Sequence, residues 1–268
     1  MNNDLRAVIF DVDGTLADTE LHGHRVAFNQ AFAEAGLDWL WSPALYGELL
    51  KVTGGKERIR RYIDQYVPGF SGPADLDAFI TGLHRAKNGH YAALAAAGKI
   101  PLRPGVRRLL NEAREAGLRL AIATTTSLEN VEALLIHALA ADAMSWFEVI
   151  GAGDVVPAKK PAPDIYHYTL NELGLPPAAC LALEDSANGL RSALAAGIPT
   201  LVTVCDYTRE DHFSGAALVV DQLGEPGQPF ALIDGAWDSA SSAWIDVPAL
   251  RRVHRHAMQD GVYQQGAR

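Results

Sequence analysis

The sequence predicts an α/β fold, a doubly wound parallel sheet with a helical domain inserted into it. Short apolar runs typical of buried strands alternate with helical patterns along most of the chain. Between about residues 18 and 98 strand patterns are absent and helical ones follow one another, which indicates an insertion. With 268 residues, 49% of them hydrophobic, the chain can form one large domain with an insert, or two domains.

Six runs have the length and composition of buried strands, and helical patterns lie between several of them. The predicted strands are Arg6–Phe10, Arg119–Ala123, Glu148–Gly151, Cys180–Leu183, Thr200–Val204 and Leu218–Val220. The predicted helices of this part are Gly105–Ala116, Leu128–Leu139, Asp164–Leu173 and Gly189–Ala196. Alternation of strands and helices favours a parallel sheet covered by helices.

The insert and the chain end complete the predicted organisation. Helical patterns of the insert cover His22–Ala35, Ala44–Lys51, Glu57–Tyr66 and Leu76–Ala96. We expect residues 1–18 and 99–235 to form the catalytic core, 19–98 a helical cap and 236–268 a C-terminal extension. Within that end of the chain, Gly224–Pro229 is interpreted as a linker and Ala249–Met258 as a short helix that docks on the core.

Charge and composition narrow the class of partner. The formal net charge is −9, which argues against a nucleic-acid partner and requires a locally basic pocket for any anionic substrate. Both cysteines, Cys180 and Cys205, lie in apolar segments, as expected for buried thiols in a reducing compartment. The N-terminus lacks a signal-peptide pattern and no apolar run approaches a membrane span. We therefore expect a cytoplasmic protein with no membrane partner. A monomer or weak homodimer is the expected oligomeric state.

The most informative motif is the pair Asp11 and Asp13, directly behind the first predicted strand. Side chains two residues apart point to the same side of an extended segment, so both carboxylates leave the strand end together. Gly14 then permits a sharp turn. Neighbouring carboxylates repel each other, and a cation or a shared proton relieves that repulsion. At the carboxyl end of a first strand, the pair is a candidate metal site and catalytic pair.

Three further motifs follow strand ends or precede helices. They are the run Thr124–Ser127 after the second strand, Lys160 before a helix, and Glu184 with Asp185 after the fourth strand. Each of the four motifs has an ordinary explanation by itself. The first carboxylate pair could form an Asx turn, and Lys160 could be a solvated surface lysine. The hydroxyl run and the Glu184–Asp185 run could be helix N-caps. Four such motifs in this order and topology favour a catalytic site.

These motifs resemble the haloacid-dehalogenase-like superfamily over roughly Ala7 to Val220. The resemblance implies that Asp11 is a nucleophile that forms an aspartyl-phosphate, and that Asp13 is the general acid and base, protonated part of the time. It also implies that Thr124 binds a phosphoryl oxygen with help from the Thr125 amide, and that Lys160 bridges nucleophile and phosphoryl group.

The same resemblance implies a divalent metal. Its ligands would be the side chains of Asp11 and Asp185 and the backbone carbonyl of Asp13. Glu184 would be either a further ligand or a side chain that contacts a ligand. Oxygen ligands of this kind suit Mg²⁺, which we expect as the cofactor. An acidic residue at position 13 separates this chain from the dehalogenases of the superfamily and favours phosphate-ester hydrolysis or phosphoryl transfer between sugar positions.

Substrate selection is expected in the insert. The run from Gly54 to Arg58 opens a helix after two glycines, and its backbone amides and two cations suit a second, non-reacting phosphate. The expected residues of this run are Gly54, Gly55, Lys56, Glu57 and Arg58. A second cluster contains His84, Arg85 and Lys87, and Glu20 and His24 are candidates for contact with sugar hydroxyls. Thr125, Thr126, Ser127 and Asn130 complete the expected substrate-binding set. Solvated helix charges are the ordinary alternative.

Several of these runs resemble one family within the superfamily, the CbbY proteins. The matching runs are Phe10–Glu20, Gly54–Arg58, His84–Lys87, Ala123–Ser127 and Lys159–Pro161. The resemblance implies a phosphatase that converts xylulose-1,5-bisphosphate, an inhibitory by-product of Rubisco, to xylulose 5-phosphate of the Calvin cycle. Two alternatives stay open: a β-phosphoglucomutase-like mutase with the same core residues, and a non-catalytic phospholigand-binding protein.

Overall fold

A seven-stranded sheet forms the centre of the fold. The computed structural model describes residues 4–237 and 242–259. In these ranges the strands are β1 Ala7–Phe10, β2 Arg119–Ala123, β3 Val149–Gly151, β4 Cys180–Glu184, β5 Thr200–Thr203, β6 Leu218–Val220 and β7 Leu232–Asp234. Their order across the sheet is β3-β2-β1-β4-β5-β6-β7, and all neighbours pair in parallel except β6 and β7. The predicted doubly wound α/β fold is therefore confirmed.

Helices flank the sheet and fill the segment between β1 and β2. They are α1 Arg25–Glu34, α2 Pro43–Leu49, α3 Gly55–Tyr66, α4 Leu76–Ala96, α5 Val106–Glu115, α6 Leu128–Leu134, α7 Asp164–Leu173, α8 Ala187–Ala195 and α9 Val247–Gln259. Two π-helical turns, Glu20–His24 and Leu135–Leu139, and two short 3₁₀ turns, Ala143–Trp146 and Pro177–Ala179, complete the described elements. The predicted helix ends agree to within a few residues.

Two predicted helices differ in their internal geometry. A single helix was expected over His22–Ala35, whereas the structure has a π-helical turn at Glu20–His24 before α1. The turn brings Gly23 so close to Tyr91 and Ile100 that an added Cβ would lie 2.8 Å from each side chain. The predicted helix Leu128–Leu139 likewise continues from α6 into a π-helical turn. Periodicity alone does not distinguish these geometries.

Helices α1–α4, which we call the helical insert, have their own core. That core is rich in aromatic side chains and includes Phe28, Phe32, Trp39, Trp41, Tyr46, Leu49, Ile59, Tyr62, Ile63, Ile80 and Leu83. The sheet is instead covered on both faces by mainly aliphatic clusters. All four residues of β1 are fully buried, which explains the continuous apolar run that predicts this strand.

Two chain segments join the insert to the sheet and run side by side. Ala17 forms an antiparallel bridge with Leu102, and the Arg103 amide donates to Leu16 O at 3.0 Å. The buried Arg103 guanidinium donates to backbone carbonyls of Gly14 and Asp221, among others. This double connection holds the start of the insert beside the carboxyl end of β1.

The C-terminal part adds one strand and one helix. The predicted linker Gly224–Pro229 contains a tight turn, closed by the Glu225–Gln228 bridge, and leads into β7, which sequence analysis missed. The predicted docking helix is confirmed as α9, whose buried residues include Leu250 and Val253. Parts of the predicted extension 236–268 lie outside the described residues. Among the described helices, none combines the length and the apolar character that crossing a bilayer requires.

Candidate active site

Three buried carboxylates meet at the carboxyl ends of β1 and β4. Asp11 directly follows β1, Glu184 is the last residue of β4, and Asp185 follows it. One oxygen of each lies within 4.8 Å of the others. The Asp11 amide donates to Leu183 O at 3.0 Å, which extends the β1–β4 pairing as far as the carboxylate. Adjacent parallel strands thus bring together residues that are far apart in sequence.

Lys160 neutralises part of this cluster. Its ammonium donates to Asp11 Oδ1 and Glu184 Oε1 at 2.7 Å each, and to Ala123 O at 2.8 Å. Burial alone would lower the pKa of Lys160, but Asp11 and Glu184 raise it above its ordinary value. The Tyr166 hydroxyl also donates to Glu184 Oε1, at 2.5 Å. One oxygen of Glu184 is therefore occupied by protein donors.

The remaining charge of the cluster suits a divalent cation. Burial, with Glu184 and Asp13, raises the pKa of Asp11 to about 7, although Lys160 lowers it. Burial, together with Asp11 and Glu184, raises the pKa of Asp185 well above its usual range. One lysine is too little positive charge for three buried carboxylates, and hard oxygen ligands favour cations such as Mg²⁺. The donor set therefore fits the metal expected from the sequence.

Two glycines allow the carboxylates to approach the backbone. A Cβ added to Gly14 would lie 2.2 Å from Asp185 Oδ2, and the φ of Gly14 is +82°. A Cβ added to Gly189, on α8, would lie 1.9 Å from Glu184 Oε2. Side chains at these two positions would displace the carboxylates or the backbone that faces them.

Asp13 lies in a different hydrogen-bonding environment from Asp11. Its Oδ1 accepts from Thr19 Oγ1 at 2.6 Å and contacts His24 Nε2 at 2.9 Å. His24 Nδ1 in turn contacts the Lys87 ammonium at 2.8 Å, and the imidazole stacks on Tyr91. Burial raises the pKa of Asp13, but His24, Thr19 and Lys87 together hold it below its ordinary value. This arrangement favours the carboxylate form, whereas the sequence-based role requires a proton part of the time.

A cavity of about 340 Å³ opens above these residues and includes Asp11, Asp13, Lys160 and Asp185 in its wall. Two further members of its wall, Glu20 and Arg58, are connected through the buried Tyr46. Tyr46 donates to Glu20 Oε2 at 2.5 Å and accepts from Arg58 Nη1 at 2.9 Å. Arg58 Nε also contacts Val52 O at 3.3 Å, so that two guanidinium donors of this arginine are already engaged.

A second cavity adjoins the first, and Asp13, Glu20, Arg58 and Thr125 line both. Its wall contains most of the predicted substrate-binding residues: Glu20, His24, Gly54, Gly55, Lys56, Arg58, His84, Lys87, Thr125, Thr126, Ser127 and Asn130. Burial, together with Lys87, Lys56, His24 and Lys159, lowers the pKa of His84 to about 4. The wall of the second cavity thus combines four cationic side chains with three carboxylates, in a chain whose net charge is −9.

Three predicted residues do not line either cavity. Arg85 is exposed and Glu57 is exposed at the start of α3, where its carboxylate folds back towards Gly54. Thr124 is 1% exposed, and its hydroxyl accepts from the Thr126 amide at 3.3 Å. Their roles stay predictions.

Sequence analysis missed four side chains that hold site residues in place. Thr19 contacts Asp13, Tyr46 joins Glu20 to Arg58, Tyr166 contacts Glu184, and the Cys205 thiol donates to Asp185 Oδ2 at 3.2 Å. Three of them belong to apolar or helical patterns that explain the residue without any function. Only Thr19, next to the first motif, carried a signal, since a hydroxyl near a carboxylate pair is a natural donor.

Comparisons with known proteins agree with this geometry. Residues 5–197 match the family model described as haloacid dehalogenase-like hydrolase. The chain is 49% identical over 251 residues to the plasmid-encoded protein CbbY of Cupriavidus necator, with 93% of this chain and 97% of the relative covered. It is 53% identical over 213 residues to CbbY of Rhodobacter capsulatus, with 80% and 91% covered.

Solved structures show the same relationship. The crystal structure of CbbY from Rhodobacter sphaeroides in complex with phosphate is 50% identical, with a TM-score of 0.76, and covers 81% of this chain and 94% of its own. A mutant of that protein in complex with xylulose-(1,5)bisphosphate matches equally well. A β-phosphoglucomutase from Clostridium difficile, 20% identical with a TM-score of 0.64, shares the fold. The chain belongs to the haloacid dehalogenase-like hydrolases and is a phosphatase of the CbbY type.

Proposed function

We propose that this phosphatase hydrolyses a sugar bisphosphate, xylulose-1,5-bisphosphate, to xylulose 5-phosphate and inorganic phosphate. The observation that carries the proposal is a pair of adjoining cavities with different chemistry. One contains the buried nucleophile and lysine, Asp11 and Lys160, and the other is lined by the lysines Lys56, Lys87 and Lys159. A substrate with a phosphate at each end matches that arrangement.

In the proposed reaction Asp11 attacks phosphorus, so that a bond from its carboxylate to phosphorus forms as the ester bond to the sugar oxygen breaks. Lys160, which already donates to Asp11 at 2.7 Å, reduces the repulsion between the nucleophile and the phosphoryl oxygens. Thr124 and the Thr125 amide are proposed to hold a phosphoryl oxygen. Water then attacks the aspartyl-phosphate and releases inorganic phosphate.

Asp13 is proposed to donate a proton to the departing sugar oxygen and later to accept one from the attacking water. Without substrate, Thr19 and His24 favour its ionised form, which is the form needed for the second step. A phosphate dianion arriving beside Asp13 raises the pKa of this carboxyl group, because a nearby negative charge disfavours the carboxylate. Substrate binding would therefore shift Asp13 towards the protonated form needed for the first step.

Mg²⁺ is proposed as the metal, held by Asp11, Asp185 and the Asp13 backbone carbonyl. Glu184 is either a further ligand or a side chain that contacts a ligand. When bound, it would neutralise charge on the phosphoryl oxygens. The buried carboxylates support this assignment, because Lys160 alone leaves them with excess negative charge. Lys160 and Tyr166 already donate to one oxygen of Glu184, which favours the partner role for that residue.

The substrate choice is supported by relatives as well as by charge. A CbbY variant about half identical to this chain has been crystallised with xylulose-(1,5)bisphosphate. We also propose the division of the chain given by sequence analysis, with residues 19–98 as a cap over the core of 1–18 and 99–235. The separate aromatic core of the insert supports that division.

Phosphate release from a panel of esters tests the proposal. The panel contains xylulose-1,5-bisphosphate, ribulose-1,5-bisphosphate, fructose-1,6-bisphosphate, β-glucose 1-phosphate and phosphoglycolate, each with Mg²⁺. We expect the largest kcat/KM for xylulose-1,5-bisphosphate. A preference for β-glucose 1-phosphate without release of inorganic phosphate would instead identify a mutase, and the proposed function would be wrong.

A further inference from the structure

Three charged side chains, Lys56, Asp154 and Lys159, line the second cavity, and Glu57 lies beside them without lining it. The four charges alternate in sign and come from two parts of the chain. Lys56 and Glu57 begin α3 of the helical insert, whereas Asp154 and Lys159 lie on the loop between β3 and α7. Asp154 Oδ1 lies 3.1 Å from the Lys159 ammonium, and its Oδ2 lies 4.0 Å from the Lys56 ammonium. Each oxygen of this carboxylate therefore faces a different lysine.

We propose that Asp154 is a placeholder for the non-reacting phosphate and thereby sets how tightly that phosphate is held. In the enzyme without substrate its carboxylate holds Lys56 and Lys159 at the second cavity. The distal phosphate of the substrate replaces the carboxylate, and Asp154 returns to the lysines when the product leaves. This inference rests on the proposed function, since it needs a substrate with two phosphates.

The exposed fractions of Asp154 and Lys159 suit an exchange of this kind. The Asp154 side chain is 72% exposed, so that it can move into solvent, whereas Lys159 is only 22% exposed and stays at the cavity wall. Ion pairs between exposed side chains contribute little free energy. Charge-assisted hydrogen bonds to a phosphate dianion are stronger, so the dianion outcompetes a single carboxylate.

The surroundings of Asp154 favour an anion at this place. Lys159 and Lys56 lower its pKa, with a smaller contribution from His84. Glu57 Oε1 lies 4.0 Å from the Lys159 ammonium, and the other lysine of this cavity, Lys87, donates to His24 rather than to a carboxylate. Asp154 is therefore the carboxylate that lies between Lys56 and Lys159.

A placeholder anion solves a problem that every bisphosphate phosphatase of this design meets. Hydrolysis at Asp11 removes one phosphate, and the product keeps the other one. A cationic site that bound the distal phosphate without competition would hold the product as firmly as the substrate. Because Asp154 competes for Lys56 and Lys159, it weakens the binding of the distal phosphate and accelerates product departure.

The test compares the Asp154→Asn variant with the wild type. Inhibition by xylulose 5-phosphate is measured against hydrolysis of p-nitrophenyl phosphate, which has no second phosphate. We expect the inhibition constant of xylulose 5-phosphate to fall about threefold to tenfold in Asp154→Asn, because the lysines lose their competitor. The ratio of the KM for xylulose-1,5-bisphosphate to that for p-nitrophenyl phosphate should fall by a similar factor.

Two further variants separate this role from general effects of charge and folding. Asp154→Glu keeps the competing carboxylate and should restore the inhibition constant to within about twofold of the wild type. Glu115→Gln removes an equal charge from the exposed end of α5, away from both cavities, and should change neither quantity. Equal or weaker product binding in Asp154→Asn would overturn the placeholder role. Failure of the wild type to hydrolyse xylulose-1,5-bisphosphate would instead overturn the proposed function.

Discussion

The two ends of the cleft hold their charges in opposite ways. At the Asp11 end, Lys160 and three carboxylates are buried at the ends of adjacent strands, and Lys160 contacts two of the carboxylates at 2.7 Å. At the Asp154 end, the ion pairs are longer and partly exposed, and two of the three join the insert to the core. Breaking one of the buried ion pairs at Asp11 would leave an unpaired buried charge, which costs much free energy. The exposed ion pairs at Asp154 contribute little free energy, so their partners can be exchanged. We therefore expect phosphoryl transfer at the Asp11 end and recognition of the non-reacting phosphate at the Asp154 end.

The largest expected effect tests the buried end. Asp11→Asn removes the attacking carboxylate while keeping its size, and we expect phosphate release to fall by a factor on the order of 10⁴ or more. Circular dichroism and the Tm should show that the variant is folded. Turnover close to that of the wild type would show that Asp11 is not the nucleophile.

Removal of divalent metal is the next test of that end. Chelation by EDTA should abolish phosphate release, and added Mg²⁺ should restore it, because Lys160 alone leaves the carboxylates with excess negative charge. Mg²⁺ should also raise the Tm of the wild type, since a ligand that binds the native state stabilises it. Asp185→Asn should lose most of that shift. Full activity in EDTA would contradict the metal assignment.

His24 tests the boundary between the two ends. Its imidazole helps to keep the pKa of Asp13 low, so His24→Ala should raise that pKa. The limb of the kcat/KM profile that reports Asp13 should then move to higher pH, and kcat should fall about tenfold to a hundredfold because a positioning contact is lost. An unchanged pH profile would show that His24 does not act through Asp13.

The smallest effect is expected at the exposed end. Lys56→Ala should raise the KM for xylulose-1,5-bisphosphate about tenfold and leave that for p-nitrophenyl phosphate within about twofold. Lys56 is preferable to Arg58 here, because Arg58 is buried and linked to Tyr46, and its removal would disturb the insert. Lys99→Ala, an exposed lysine near the end of α4, is the matched control. Equal losses on both substrates in Lys56→Ala would argue against a second phosphate site.

Much of this protein could be predicted from the order of residues along the chain. The run Ala7–Phe10 is apolar at every position because β1 is buried on both faces, and this made the strand recognisable. The motif residues Asp11, Lys160 and Asp185 stand directly beside predictable elements, so the parallel topology implied their convergence. By contrast, β7 is exposed along its whole length, and the short apolar run 230–233 that overlaps it was not recognised as a strand.

The rest was decided only by tertiary structure. Tyr46 and Tyr166 look like ordinary core aromatics in the sequence, and only packing shows that their hydroxyls meet Glu20 and Glu184. The direction of the Asp13 pKa shift depends on His24, eleven residues away, because a π-helical turn aims its ring at the carboxylate. Sequence patterns indicate local backbone structure and burial. Charged groups also act through space on residues of other segments, and a local pattern does not show which segments will meet.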